Sequence, residues 1–558
     1  MIAGNLFFLQ AVKGDFYHRL STNNRIRVVP MEGWRGRIMD RNGIILADNR
    51  LAYHVLITPQ SVNDINELFS FLEDVTGLSK NLLLRRYRER KTAPFIPVVV
   101  AEDVSRQAAV KIEEHKFRFP ALEIRESYRR FYPLGPITAH LVGYTAKADQ
   151  NRLSQAKKYG LTPQTMVGYS GVEEQYDGEL KGGDGGLQIE VNSRGEQVRL
   201  LGWKDPTAGN DFIVTVDSRI QEAAMKALGE ARGAVVMMDA DTGEILTLAS
   251  APSYDPNAFK ESDRRDEINS YFRDRRSPML NRAIGGVYPP GSIFKVIVGV
   301  AGIDQSKINR TNRYRCNGFL ELGGTRFGCT HVHGDENLEE ALGHSCNVYF
   351  YHLGLVLGAD VIHRYASIFG MGKLTRVDLP YEKKGGLPLR SQHLAAGKRW
   401  FTGDTLNISI GQGDVLATPI QMAALMATVL NNGDTVQPQV KYQDPRPERK
   451  GNFFPRSNIG LSAAVFAEIK KGLRFAVADP DGTAHVLSEI PGLSVAGKTG
   501  TAQAGHDRDH HAWFAGYVEK GFNRRIAFCV FLEHGGSSHN ACLVARNILA
   551  EVKEKGLL

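Results

Sequence analysis

Apolar residues fall into short runs of differing period along the chain. Ile65, Leu68, Phe69, Leu72 and Val75 recur at three-and-four spacing, which predicts an amphipathic helix. Ile220, Ala224 and Leu228 repeat the pattern in a helix predicted from Ser218, after a predicted strand at residues 212–216. Residues 234–238 and 245–249 are apolar runs either side of Asp241-Thr242-Gly243, the signature of a hairpin. Near the C-terminal end, residues 493–498, 512–518 and 526–532 predict three strands side by side in one antiparallel sheet. Residues 542–553 predict a helix that covers it. The fold class is therefore α/β and multi-domain, its sheet drawn from both ends of the second segment and flanked by helices. The first segment mixes short strands and helices, an α+β pattern, and glycines at residues 181–186 predict a loop. Turn chemistry at Asp205-Pro206-Thr207-Ala208-Gly209 divides the two, giving expected domains of 21–205 and 206–558.

Residues 1–12 are apolar but far short of the ~20 needed to span a bilayer. They also lack the basic region and cleavage site of a signal peptide. Read literally the segment gives no membrane anchor; the alternative is that the sequence starts inside a transmembrane helix, with residues 1–20 the remnant of that helix and its juxtamembrane segment. The 558 residues suffice for two or more sizeable cores, and 42% hydrophobic with 23% charged residues is ordinary for a globular protein. A net charge of +8 is too diffuse to argue for nucleic acid and fits work beside anionic lipid and polymer.

Three short motifs follow in order: Ser292-Ile293-Phe294-Lys295, Ser345-Cys346-Asn347 and Lys498-Thr499-Gly500-Thr501. Tyr288-Pro289-Pro290-Gly291 stops any earlier helix, and Ser292 is predicted to open an apolar one with Lys295 on the same face. A serine hydroxyl is a poor nucleophile at neutral pH and needs an adjacent base. Lysine serves only if burial or a neighbouring cation lowers its pKa, and Lys498 is the candidate cation. Ser345 is then placed to relay a proton, and Asn347 to hold Lys295 and a substrate amide. On a strand, Gly500 would let substrate lie against the backbone, while Thr499 and Thr501 turn hydroxyls toward a carboxylate that Lys498 attracts. The backbone N–H groups of Thr501 and Ser292 would form an oxyanion hole. Taken singly, the motifs have plainer readings: Ser292 as a helix cap beside a solvated lysine, and Ser345 with Asn347 as caps of a helix beginning near Val348. Together they resemble the S-x-x-K, S-x-N and K-T-G triplet of the penicillin-recognising acyl-serine enzymes.

Cys316, Cys329, His333 and Cys346 form a second group, spaced by 12, 3 and 12 residues. Four soft or borderline ligands suffice for a closed tetrahedral zinc site, which would pin the loop of Ser345 and Asn347 from behind. A Cys316–Cys329 disulfide is the rival in an oxidising compartment, leaving His333 and Cys346 as ordinary residues. The fixed spacing of four ligand types favours metal. His331, two residues from Cys329, is a poorer substitute ligand. Cys529, in an apolar run, is expected in the core.

The wider sequence resembles the class B penicillin-binding proteins, and among them the elongation-type penicillin-binding protein 2 family. RGRIMDRNG at residues 35–43 is similar to that family's R-G-x-I-x-D-R-N-G box, and GYSGVEEQY at 168–176 to its G-x-S-G-[LV]-E box. Glu190 to Gly195, Gly411-Gln412-Gly413 with Thr418-Pro419, and His511-Ala512-Trp513-Phe514 also match in type and order. The resemblance implies a non-catalytic pedestal and a transpeptidase domain that cross-links peptidoglycan stem peptides and is trapped by β-lactams. It also implies a membrane anchor, a periplasmic catalytic domain, and a RodA-type glycosyltransferase and MreC scaffold as partners. Some members carry zinc at the matching places; there the ligands include carboxylates, where this chain has Cys316 and Cys329. Asn347 stands where elongation enzymes often have Asp, and its ability to donate and accept preserves the role.

Other functions fit less of the chain. No acidic glycosyltransferase motif marks a bifunctional enzyme, and a class A β-lactamase needs a Glu-led loop and about half this length. A β-lactam sensor would usually carry H-E-x-x-H, which is missing. A zinc-dependent nucleic-acid module leaves the three motifs unexplained. A division-type transpeptidase and a catalytically silent scaffold remain as alternatives.

Overall fold

A computed structural model describes residues 7–14, 26–31, 33–155, 165–192, 197–260, 264–443, 457–505 and 508–558. Residues 1–6 and 15–20 of the expected anchor remnant, and Ser193 to Gly195 of one resembling stretch, lie outside them. Among the described residues no helix is long and apolar enough to cross a membrane.

The chain divides into two compact units. The first comprises Met1–Ile38, Ala47–Pro133 and Tyr176–Phe212. In it the strand Ile45–Ile57 pairs antiparallel with Val98–Val104 and with Leu122–Phe131. The predicted helix forms as Ile65–Thr76: Asp64 caps its start by accepting from the N–H groups of Asn66 and Glu67. It buries Leu68, Phe69 and Leu72 against Val55, Ile57 and Val100 of that sheet. The glycine run expected as a loop enters a strand at Gly185–Val191, which pairs with Ile26–Met31 and Gln197–Lys204.

The second unit holds Met39–Leu46, Leu134–Gln175 and Ile213–Leu558. One linear junction near residue 205 misses this exchange. Its cause is polar: the buried Asp40 carboxylate accepts from Ser218 N–H at 3.1 Å and Ser218 Oγ at 2.7 Å. Arg41 pairs with Glu244 at 2.9 Å. The expected strand at 212–216 shortens to Phe212–Ile213, and the helix Ser218–Leu228 follows as predicted.

Five antiparallel strands make the central sheet, in the order Ile245–Ala251, Gly233–Asp239, Ile526–Leu532, His511–Lys520, Ser494–Ala502. One face packs under the helices Ser218–Leu228 and Ser538–Glu554 in a core that includes Val235, Phe514, Phe528 and Val530. The helix Pro419–Leu430 touches three of the strands as well. With both faces covered, Ile526–Leu532 is buried at every position, including Cys529. Ser494–Ala502 is an edge strand and runs four residues beyond its predicted end, so Lys498 to Thr501 all lie in it.

Candidate active site

Ser292 does not open an α-helix. It sits half-buried in a tight 3-10 turn, Gly291–Phe294, from which the apolar α-helix Lys295–Asp304 continues. Lys295 is fully buried at that helix's first residue. Its Nζ donates to Ser345 O at 2.7 Å, to Asn347 Oδ1 at 2.6 Å and to Ser345 Oγ at 3.3 Å. The first two motifs therefore meet at one ammonium-sized group. Burial pushes the Lys295 pKa down to about 8, against the pull of Cys329, Cys346 and Cys316. Lys498 is itself held well below the ordinary lysine value, by burial and then by Lys295.

Ser345 is in the left-handed region at φ 60°, which a non-glycine residue adopts only when its surroundings over-determine it. Neither Ser345 nor Asn347 caps the following helix. Its cap is Cys346, whose side chain accepts from Tyr349 N–H, and Asn347 is the first residue of the helix Asn347–Leu357. Asn347 Nδ2 donates to Gly328 O at 3.1 Å, so both ends of this amide are engaged.

The third motif comes to Ser292 from the edge strand. A Cβ on Gly500 would lie 2.8 Å from Pro290 O, 3.1 Å from Trp513 Cβ and 3.2 Å from Ile293 Cγ1. The missing side chain thus admits the nucleophile turn, a reason for glycine here besides the expected room for substrate. A Cβ on Gly291 would meet Thr501 O at 2.7 Å, so the turn and the strand also touch there. Thr501 is exposed and its carbonyl accepts from Gln412 Nε2 at 3.4 Å, off the sheet's free edge. In a strand the N–H and C=O of one residue point the same way, so the Thr501 N–H faces that edge too. Thr499 is buried and donates its hydroxyl to Thr483 Oγ1 at 2.8 Å, while Lys498 Nζ reaches Thr499 O and Oγ1 only at 3.4 Å.

Behind this loop the ligand atoms of Cys316, Cys329, His333 and Cys346 all lie within 4.8 Å of one another. His333 Nδ1 is 3.5 Å from both Cys316 Sγ and Cys329 Sγ. Zinc–sulfur and zinc–nitrogen bonds of about 2.3 and 2.1 Å at a tetrahedral angle set those atoms roughly 3.6 Å apart, so the four residues fit such an ion. All five cysteines are unbridged, and the rival Cys316–Cys329 disulfide is not formed. His331 offers its carbonyl, not its ring, to Cys316 Sγ. Cys329 is held far below an ordinary thiol by the Cys346 thiol and by the N–H groups of Val348 and Asn347. The same contact, with burial, drives Cys346 upward.

Comparison with known proteins bears on both units. The profile of the penicillin-binding protein transpeptidase domain matches residues 233–552, and that of the penicillin-binding protein dimerisation domain matches residues 30–214. The chain belongs to the penicillin-binding proteins. It is 31% identical over 582 residues to peptidoglycan D,D-transpeptidase MrdA of Escherichia coli strain K12, covering 99% of this chain and 91% of the relative. Its fold matches penicillin-binding protein 2 in a solved complex with MreC from Helicobacter pylori, with a TM-score of 0.82 and 27% identity over 96% of this chain and 100% of the other. A second solved structure, on the structural coordination of polymerization and crosslinking by a peptidoglycan synthase complex, matches at TM-score 0.76 and 30% identity over 98% and 95%. This penicillin-binding protein is thus a serine-type peptidoglycan D,D-transpeptidase of the elongation type.

Sequence reasoning passed over two contributors to the penicillin-binding protein's site. Thr483, which holds the Thr499 hydroxyl, stands 16 residues upstream with no motif around it. Cys329, expected as a metal ligand or a disulfide partner, also accepts from Asn347 N–H at 3.1 Å with its thiol.

Proposed function

We propose that Ser292 is the acylating nucleophile, Lys295 its general base and Ser345 the proton relay. Lys498, Thr499 and Thr501 then bind the terminal carboxylate of the donor stem peptide. The observation that carries this reading is Lys295: a fully buried amine, three residues from Ser292, held by both Ser345 and Asn347 and with its pKa brought down to about 8. Such an amine is a base near neutral pH, which a solvated lysine is not.

Ser292 Oγ attacks the D-Ala-D-Ala amide carbon as Lys295 takes the hydroxyl proton. The N–H groups of Ser292 and Thr501 hold the developing oxyanion. The C–N bond breaks, and the proton passes by way of Ser345 to the leaving D-alanine nitrogen. An amine of a second stem peptide then attacks the ester, forms the cross-link and restores Ser292. A β-lactam, an amide beside a carboxylate, enters by the same first step and stays as the acyl-enzyme. Among the described residues Lys498 Nζ reaches only Thr499, at 3.4 Å, and an arriving carboxylate restores the charge that burial disfavours.

Cys316, Cys329, His333 and Cys346 hold a structural zinc in this reading, and the ion's role is to fix the fold of the loop behind the site. The two similar structures support an MreC-type scaffold and a RodA-type glycosyltransferase as partners. The peptidoglycan substrate supports a catalytic domain at the periplasmic face of the inner membrane, without any nucleic-acid partner. Ser292→Ala is expected to abolish covalent labelling by fluorescent penicillin with thermal melting unchanged. Undiminished labelling of that variant would remove Ser292 from its role.

A further inference from the structure

Beside the turn that carries Gly411, Gln412 and Gly413 lies a cavity of about 330 Å³ that none of these roles uses. That volume admits a ligand-sized group. Two of its walls connect to the active site through neighbouring residues. Gly411 O accepts from the N–H of Gly291, the residue before Ser292, at 3.0 Å, and Gln412 reaches Thr501, while Gly413 lines the cavity. Opposite, the helix Thr402–Ser409 meets the hairpin Phe319–Gly328, where a Cβ on Gly403 would come within 3.0 Å of Phe327 Cζ. That hairpin ends at Gly328, the residue whose carbonyl takes the Asn347 amide.

Lys398 and Arg399 line the cavity, are exposed, and have no acidic partner among the described residues. The two acids present are engaged: Asp404 accepts from Phe401 N–H at 2.8 Å and Asp414 lies 3.2 Å from His393 Nε2. Phe401 offers an aromatic surface that is 62% exposed. Unpaired cations beside an exposed ring suit an anionic, partly apolar peptide, and the guanidinium suits a carboxylate in particular.

The geometry points to this cavity as the subsite for the acceptor stem peptide, with Arg399 and Lys398 binding a free carboxylate of that second chain. The inference rests on the transpeptidase roles given above. The donor is already accommodated along the free edge of Ser494–Ala502, where its carboxylate meets Lys498. Gly413 lines the cavity and Gln412 beside it meets Thr501, while no residue of that strand lines the cavity, so it adjoins the donor's place without sharing it.

The test separates the two half-reactions. Full-length protein and its Arg399→Glu, Lys398→Glu and Arg399→Lys variants are assayed for penicillin acylation, which uses no acceptor. They are also assayed for transfer from a stem-pentapeptide donor to two acceptors, a stem peptide with free carboxylates and its amidated counterpart. Acylation is expected within about twofold of wild type in every variant. Transfer to the carboxylate acceptor falls roughly tenfold in the Glu variants, as a rise in half-saturating acceptor concentration, and Arg399→Lys keeps most of it. The preference for the carboxylate over the amidated acceptor disappears in Arg399→Glu. Transfer that is unchanged in both Glu variants overturns the subsite, as does acylation falling in parallel with transfer. Absence of penicillin labelling in the unaltered protein is a separate result, which removes the nucleophile assignment and the subsite with it.

Discussion

The backbone N–H of Asn347 donates to Cys329 Sγ at 3.1 Å. The side chain of the same residue accepts from Lys295 Nζ at 2.6 Å. One residue therefore joins the cysteine–histidine cluster to the candidate base. Cys346 makes a second tie, because it caps the helix that Asn347 begins and follows Ser345 directly. Both ties run through main chain, so a displacement of the cluster moves the groups that hold Lys295.

Purified protein is expected to contain about one zinc per chain, bound through deprotonated thiols. Cys329→Ser should lower both metal content and melting temperature. Penicillin acylation should fall about tenfold with it, a loss in the range seen when groups that orient a metal site are removed. Chelator, not reductant, should reproduce the effect in the wild type. Metal-free wild-type protein that acylates at the normal rate would end the zinc proposal and leave Ser292 in place.

Lys295→Arg is expected to be as damaging as Lys295→Ala. Arginine keeps the charge but does not give up a proton at working pH, so a base role forbids it. The sign of the pH dependence follows from the same group. Burial lowers the Lys295 pKa from 10.5 to about 8, so the neutral, proton-accepting form gains as pH rises. Acylation should climb about tenfold per pH unit below 8 and level off above it. A rate that is flat from pH 6 to 9, or a Lys295→Arg variant near wild type, would make Lys295 an electrostatic group.

Periodic features were legible because each element announces itself locally. The spacing of Leu68, Phe69 and Leu72, and of Ile220, Ala224 and Leu228, marks helices whose buried faces the structure reproduces. The paired apolar runs around Asp241 to Gly243 likewise form adjacent strands. The misses are contacts between distant parts of the chain. Nothing near Thr483 announces that its hydroxyl meets Thr499, and Asp40 gives no local sign that it anchors Ser218. Ser345 and Asn347 have the composition of helix caps, but the left-handed backbone at Ser345 shifts the cap to Cys346, a residue seldom chosen for it.

Gly500→Ala separates two explanations for that glycine. If the position is small to admit substrate, alanine should weaken donor binding and leave the fold alone. The structure predicts otherwise: the new methyl meets Pro290 O at 2.8 Å, and Pro290 lies two residues before Ser292. Backbone cannot swing aside as a flexible side chain does, so the strand or the turn must shift. Overpacking of this kind costs about 1–3 kcal/mol. A displacement of the order of 1 Å at a reacting group costs about 10²-fold in rate. Thermal melting and penicillin acylation should therefore both fall, the rate through its limiting value at saturating penicillin. Unchanged melting with only weaker penicillin binding would return Gly500 to a substrate-facing role.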